Sequence, residues 1–397
     1  MLGGLRKVAR RAFGLARADG RADAARSAVA LGRGAWYSRE ESIMGTAIRV
    51  ELWSPERPAA ESAMAAVMEE MHRVDRTMSP HKPDSELSRI NAQAADGPVT
   101  ISREMFELLS RSLHFSRLSD GAFDITFASA GQLYDYRERI RPDEQALARA
   151  RAAIGYQNLL LDEPACTVRF ARPDVRIDLG GFAKGYAVDS GAALLRRRGI
   201  AHAIVTAGGD SHIVGDRGGR PWTIGVRDPR RPGELAAVLP LKDVAVSTSG
   251  DYERYFDEGD VRFHHILDPR TGASPNSVRS VTIIAPDGLT SEGLSKSVFV
   301  LGVEKGLRLI EAQRDVDAVV VDAAGVLHYS AGLRPAGPAP GAARKPAAQA
   351  AATTPELAQE KNPAPAQAGA QSQSTTQAQS ATQSQSISES SAQKVTV

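Results

Sequence analysis

A single cysteine in 397 residues, Cys166, excludes a disulfide within the chain and a thiolate metal centre. Cys166 stands between Pro164 and a strand-like run, the setting of a structural residue. Unbalanced charge is also lacking. The 49 Lys and Arg stand against 47 Asp and Glu, a formal +2, so whole-chain charge gives no reason to bind nucleic acid or an acidic surface. No apolar run reaches the ~20 residues that a bilayer span needs. Neither a full dinucleotide fingerprint nor a full P-loop occurs. A strict strand–helix–strand repeat is missing as well, which argues against a doubly wound sheet and for a mixed α+β architecture.

What is present divides the chain three ways. Residues 1–40 carry Arg6, Lys7, Arg10, Arg11, Arg17, Arg21, Arg26 and Arg33 and read as a basic solvated extension. The Arg10-Arg11 pair is of the twin-arginine type, but the residues after it are too charged for the apolar core of an export signal. Residues 41–333 alternate helical and strand patterns. Met64, Val67, Met68, Met71 and Val74 recur at helical spacing in residues 60–78, a core-packing pattern. Ser102 is placed as the N-cap of a helix to about residue 118, and Pro142 in the first turn of another to about residue 154. Gly302 is expected to break the late helix over residues 290–310. From residue 334 Pro and Ala, then Gln, Ser and Thr, replace aliphatic bulk, so residues 334–397 read as a disordered tail.

The body is organised around Arg176-Ile-Asp-Leu-Gly-Gly-Phe-Ala-Lys-Gly-Tyr-Ala-Val-Asp189. Val175 and Ile177 read as a strand end and Asp178 as its close. Gly180 and Gly181 permit positive φ or close backbone approach by a ligand. A helix follows with Ala183, Ala187, Gly191, Leu194 and Leu195 on one face. Arg196, Arg197 and Arg198 fill its last turn, and Gly199 takes the C′ position. A glycine turn entering a helix is a ready anion site, and Asp178 with free carbonyls could hold a hard cation. An ordinary tight turn between strand and helix fits the same residues.

Six motifs occur in order: Met44-Gly-Thr, Asp84-Ser-Glu-Leu-Ser, Gly121-Ala-Phe-Asp-Ile-Thr, Asp178-Leu-Gly-Gly-Phe-Ala-Lys-Gly-Tyr-Ala-Val-Asp, Ser249-Gly-Asp-Tyr and His265-Ile-Leu-Asp-Pro-Arg-Thr-Gly. Together they resemble the ApbE family, the FAD:protein FMN transferases, over roughly residues 43–333. The resemblance implies an α+β fold of mixed sheets and packed helices, related to the T-fold. It implies FAD as substrate, Mg²⁺ as cofactor, and transfer of FMN to a Thr or Ser hydroxyl of an acceptor flavoprotein with release of AMP. The acceptor it implies is a membrane-associated redox subunit; no nucleic-acid partner is expected. It also implies the periplasmic side of the inner membrane, whereas the absent export signal implies the cytoplasm.

Carried over by position, the resemblance makes Met44, His81, Ala122, Phe123, Asp124, Asp178, Lys184 and Leu267 cofactor-binding residues. His265 becomes the catalytic candidate, as general base or as the group that orients the acceptor. Gly181, Glu292, Ser295 and Lys296 occupy the metal-ligand positions. The sequence departs from the family pattern at several of these. His81 stands where Tyr is common, and Tyr134 where Trp is frequent. Glu292 replaces an Asp, Ser295 keeps an oxygen, and Lys296 puts an ammonium where a Thr ligand is usual. An ammonium at a cation's position repels the cation, so Lys296 neutralises the pyrophosphate itself, pairs with Glu292 and closes the site, or turns to solvent as an ordinary helix lysine and leaves the site one ligand short. Two other readings therefore stand beside the transferase: an FAD pyrophosphatase, and a flavin-binding protein that has lost the metal.

Overall fold

The structure, a computed structural model, describes residues 32–231 and 233–334 and the backbone of residues 395–396. The basic stretch before residue 32 and the tail over 335–394 lie outside the described residues. The hairpin of β1 (Ala35–Ile43) and β2 (Thr46–Ser54) leads into α1 (Arg57–Met78) and α2 (Glu86–Gln93). Then come β3 (Val99–Thr100), α3 (Arg103–Leu118) and a 3₁₀ turn (Ile125–Phe127) that enters α4 (Ala128–Gly131). After α5 (Glu144–Arg151), β4 (Leu159–Asp162) and β5 (Thr167–Phe170) pair with β3 in a small sheet. The central helix α6 (Ala183–Arg197) is followed by β6 (Ala203–Ala207), β7 (Asp210–Val214), β8 (Trp222–Arg227), β9 (Leu235–Leu241) and β10 (Ala245–Gly250). The chain continues through β11 (Tyr255–Glu258), β12 (Val261–His264), β13 (Val278–Ala285), α7 (Gly288–Glu311), β14 (Asp317–Asp322) and β15 (Leu327–Tyr329); β16 (Val395–Thr396) runs parallel to β8.

The main sheet has eight strands in the order β1-β2-β6-β7-β10-β13-β14-β15, and every neighbouring pair is antiparallel. Alternate residues point to opposite faces of a strand, and here both faces are buried. On one side Ala203, Val205, Val281, Ile283, Ala318 and Val320 pack under α1, α6 and α7. On the other, Ile204, Val246, Ile284 and Val319 pack against Trp222, Ile224 and Leu239 of the β8–β9 hairpin. The methionine and valine spacing in α1 is a core stripe, as expected: Met68, Met71 and Val74 are buried. Gly191 lets α6 sit close, since a Cβ there would lie 3.2 Å from Met71 and Val205.

Three expectations need correction. β1 begins at Ala35, inside the stretch read as an extension; as an edge strand it carries exposed Arg39 and Glu40, which hid it. α5 starts at Glu144 with Asp143 as N-cap, so Pro142 precedes the helix. Residues 175–178 are extended but join no sheet. The Asn91 amide takes the place of a neighbouring strand, accepting from Ile177 N at 2.8 Å and donating to Ile177 O at 2.9 Å. Other marks hold: Ser102 caps α3 through Met105 N, Gly199 ends α6 at φ 75°, and Gly302 breaks the late helix at φ 78°. Among the described residues no helix is long and apolar enough to cross a membrane.

Candidate functional site

The N-termini of α6 and α7 meet at two glycines. A Cβ on Gly185 would lie 2.4 Å from Gly288 O, and one on Gly288 would lie 2.4 Å from Gly185 O, so side chains are excluded from both. Each helix then helps to finish the other. Phe182 gives α6 no side-chain cap, and Glu292 of α7 accepts instead, Oε2 taking Gly185 N–H at 2.7 Å. In return Asp189 of α6 accepts Gly288 N–H at 2.7 Å and Leu289 N–H at 3.2 Å. His212 fixes Asp189 through a 2.6 Å contact. An anion is therefore seated at the helix entry, as the glycine turn suggested, but it is the protein's own carboxylate. Gly180 and Gly181 are not at positive φ; their role is close approach. Gly180 N–H bonds to Asp178 Oδ1, and a Cβ on Gly181 would stand 3.3 Å from Lys296 Cε.

Lys184, in the first turn of α6, is the hub. Its ammonium lies 2.7 Å from Asp210 Oδ2 and 2.6 Å from Glu292 Oε1, both carboxylates almost wholly buried. Burial opposes the charge on Lys184, but Asp210 and Glu292 outweigh it and hold the ammonium above the usual lysine range. Burial would also raise Asp210, yet Lys184 and then Lys296 pull it below the usual carboxylate range. Asp210 Oδ1 is buried and makes no hydrogen bond of good geometry, while the neighbouring Ser247 hydroxyl helps to lower the carboxyl's pKa. Lys296 reaches Glu292 Oε1 at 3.3 Å. Beneath this cluster hydroxyls cross from β10 to α7, Ser247 to Ser291 at 2.7 Å and Ser249 to Ser295 at 2.8 Å.

His265 completes the cluster from the loop after β12. It is half-buried, and its Nδ1 is sealed from solvent without a hydrogen-bond partner. Burial, then the charges of Lys296, His264, Arg254 and Lys184, press its pKa down to about 3. The imidazole is thus neutral at physiological pH, a weak base with one ring nitrogen able to accept a hydrogen bond. Its backbone N–H bonds to Arg254 O at 3.1 Å. The Arg254 guanidinium reaches the Met44–Gly45 turn, 3.6 Å from where a Cβ on Gly45 would be. Met44 holds φ 54° at that turn, an uncommon conformation for a long side chain.

The other predicted positions divide. Leu267 is buried beside Gly131, with Cδ1 3.9 Å from a Cβ placed there. Tyr134 stacks on Tyr136 at 5.8 Å and donates to Gly272 O at 2.9 Å. Phe123 is turned inward, its ring 5.3 Å from that of Phe182 and 6.1 Å from that of Phe115. Asp124 caps the 3₁₀ turn through Thr126 N at 2.8 Å, and burial raises its pKa. Ala122 is buried with them, so this segment presents backbone rather than these side chains. His81 is exposed in the loop after α1, and no described contact joins it to the cluster. His264 bonds to Pro275 O, and Asp268 organises its own turn through Arg270 N, both structural contacts.

Sequence reasoning missed Asp210, Ser247, Arg254 and the cap made by Asp189. Gly208-Gly209 just before Asp210 was the available signal, a strand end followed by a carboxylate. The expected Mg²⁺ was then tested against the donors present. Both Glu292 oxygens already accept, from Lys184, Lys296 and Gly185 N–H. Ser295 Oγ donates to Glu292 O at 2.8 Å and meets Ser249. Two ammonium groups balance two carboxylates, and among the described residues no group of three His, Cys, Asp or Glu could hold a metal ion. This donor set does not fit an ion that demands octahedral oxygen ligation.

The sequence profile described as the ApbE family matches residues 44–320. The FAD:protein FMN transferase of Treponema pallidum (strain Nichols) is 34% identical over 317 residues, covering 75% of this chain and 87% of that protein. The enzyme of the same name from Klebsiella pneumoniae (strain 342) is 32% identical over 289 residues, covering 72% and 89%. Among solved structures, the ApbE protein of Thermotoga maritima superposes with a TM-score of 0.70 at 33% identity, covering 75% of this chain and 97% of the other. The flavin transferase ApbE of Vibrio cholerae does so with a TM-score of 0.68 at 26% identity, covering 75% and 98%.

Proposed function

The chain belongs to the ApbE family, and from that premise we propose that it is an FAD:protein FMN transferase working at the cluster of Lys184, Asp210, Glu292, Lys296 and His265. FAD is its substrate and a protein its acceptor. In the reaction an acceptor hydroxyl oxygen bonds to the FMN phosphorus. The pyrophosphate P–O bond on the other side breaks, AMP leaves with that electron pair, and the hydroxyl proton passes to a base. The observation that carries this assignment is the orphaned, neutral His265 Nδ1 beside a buried ammonium–carboxylate cluster.

Each residue has a task in this reading. His265 accepts the proton or orients the Thr or Ser hydroxyl that carries it. Lys184 pairs with Glu292 and Asp210, and through Glu292 it fixes the entry of α6. Asp210 Oδ1 takes a hydroxyl of flavin or acceptor. Met44, Leu267, Tyr134 and the Ala122–Phe123–Asp124 backbone line the flavin's approach, and Asp178 holds the Gly180 turn. Mg²⁺ is what the resemblance brings; with Glu292, Ser295 and Lys296 committed as they are, no step is drawn through it.

The test is one incubation of purified protein with FAD and a small protein bearing a Ser/Thr flavinylation site. In-gel flavin fluorescence and AMP release are read together. Covalent flavin with AMP is expected. AMP with free FMN would replace the reading with pyrophosphate hydrolysis, and bound FAD with neither product would replace it with flavin binding alone. His265→Ala is expected to lower transfer more than FAD affinity; equal loss in both would remove His265 from the proton step.

A further inference from the structure

An ammonium group stands where the resemblance puts an oxygen ligand of a divalent cation. Lys296 lies one turn after Glu292 on α7, and its stem passes close over Gly181. Lys184 makes the two short ion pairs of the cluster, at 2.6 Å to Glu292 and 2.7 Å to Asp210, and Lys296 supplies the second positive charge at longer range. Among the described residues Lys296 has one hydrogen-bond partner, Glu292, and at 3.3 Å that contact is long for a charged pair. The other ammonium protons are left for a ligand. Lys296 keeps 19% of its side chain exposed where Glu292 keeps none.

We infer that Lys296 is the cation that receives the FAD pyrophosphate, and that this protein binds FAD without a divalent metal. The inference rests on the flavin-transfer reading and adds to it the identity of the neutralising charge. A lysine is a suitable point charge for a phosphate oxygen, and it arrives already placed by the helix. A metal ion brought to the same position would face two ammonium groups and the Glu292 carboxylate, both of whose oxygens already accept from the protein.

The experiment titrates the full chain with FAD, followed by flavin fluorescence, in EDTA and in millimolar Mg²⁺. The native protein is expected to bind equally in both. Lys296→Met keeps the stem and loses the charge, and should weaken binding about 10- to 100-fold in both buffers, the range of one charge-assisted contact. Glu292→Asp with Lys296→Thr should bind weakly in EDTA and recover in Mg²⁺. Mn²⁺ alone, followed by electron paramagnetic resonance, should bind this double variant and not the native chain. Thermal melts confirm that each variant is folded. Native affinity that rises with Mg²⁺, Mn²⁺ bound by the native chain, or unchanged affinity in a folded Lys296→Met would overturn the inference and leave the transferase reading intact. Failure of the native chain to bind FAD in either buffer would instead sink the transferase reading, and the inference with it.

Discussion

Replacing Lys184 with Met removes the charge that two buried carboxylates share. Asp210 and Glu292 have side-chain exposures of 2% and 0%, and Lys184 lies 2.7 and 2.6 Å from them. Removing one member of a buried ion pair costs ~3–5 kcal/mol, because a charge is left uncompensated. Lys296 stays near Glu292 at 3.3 Å and shields part of that loss, which favours the lower end, ~3 kcal/mol. With ~300 ordered residues and ~2.1 cal/mol/K of unfolding entropy each, the melting temperature should fall by roughly 5 °C. Adding Asp210→Asn to Lys184→Met should recover part of the fall, since the neutral amide needs no counter-ion. The sign with pH follows. A lysine held above its unfolded value contributes stability that is complete below the unfolded pKa of ~10.4 and is lost as pH rises through the folded one. The alkaline loss of stability should therefore be smaller in Lys184→Met. Calorimetry at pH 7 gives the first number, and at about pH 11.5, above the unfolded lysine pKa, the second. A fall under ~1 kcal/mol, within the range of an exposed pair, together with strict additivity in the double variant, would refute the hub.

Three further outcomes are expected. Met44→Asn should raise stability by about 1 kcal/mol, because Asn tolerates the left-handed φ that Met44 holds, and should weaken FAD binding; unchanged binding would make Met44 a turn residue only. His265 in the fold has its pKa pressed to about 3 against ~6.5 unfolded, so the unfolded chain protonates first and stability is lost as pH falls across that window, by ~1.4 kcal/mol per unit. His265→Gln should flatten this acid limb, and an unchanged limb would show that the ring is not held neutral. Asp189→Ala should lower stability by ~1–2 kcal/mol by freeing two N–H groups at the start of α7; chemical denaturation checks it.

Local patterns carried much of the fold. The stripe on α1, the Ser102 cap, the glycine end of α6 and the break at Gly302 each depend on neighbours within a few residues, and each was readable. What escaped depends on distant partners. Residues 175–178 have the composition of a strand end, but the Asn91 amide, 86 residues away, satisfies the backbone of Ile177, and Ser129 and Ile125 satisfy Arg176 N and Asp178 N. β1 carries edge-strand charge and so merged with the basic stretch before it. At the site, Lys184, Glu292, His265 and Gly181 were named from motifs. Asp210 was not, because its meaning comes from a lysine 26 residues away on another element. The substitution at Lys296 was visible as a letter; its consequence needed the geometry that gives both Glu292 oxygens to other donors.

The shared finishing of α6 and α7 has a consequence in time. The bond from Gly185 to Glu292 spans 107 positions and the one from Gly288 to Asp189 spans 99, with β6, β7, β10 and β13 in the intervening chain. Contacts so distant in sequence are slow to close, since the chain between them must be ordered first. During synthesis the glycine turn and Lys184 leave the ribosome while the first turn of α6 still has no acceptor for Gly185. Only when the chain has passed residue 292 and the sheet has assembled does the carboxylate arrive, with Lys296 one turn behind it. A chain that stops before residue 292 therefore lacks both Glu292 and Lys296, the two residues that the proposed site takes from α7.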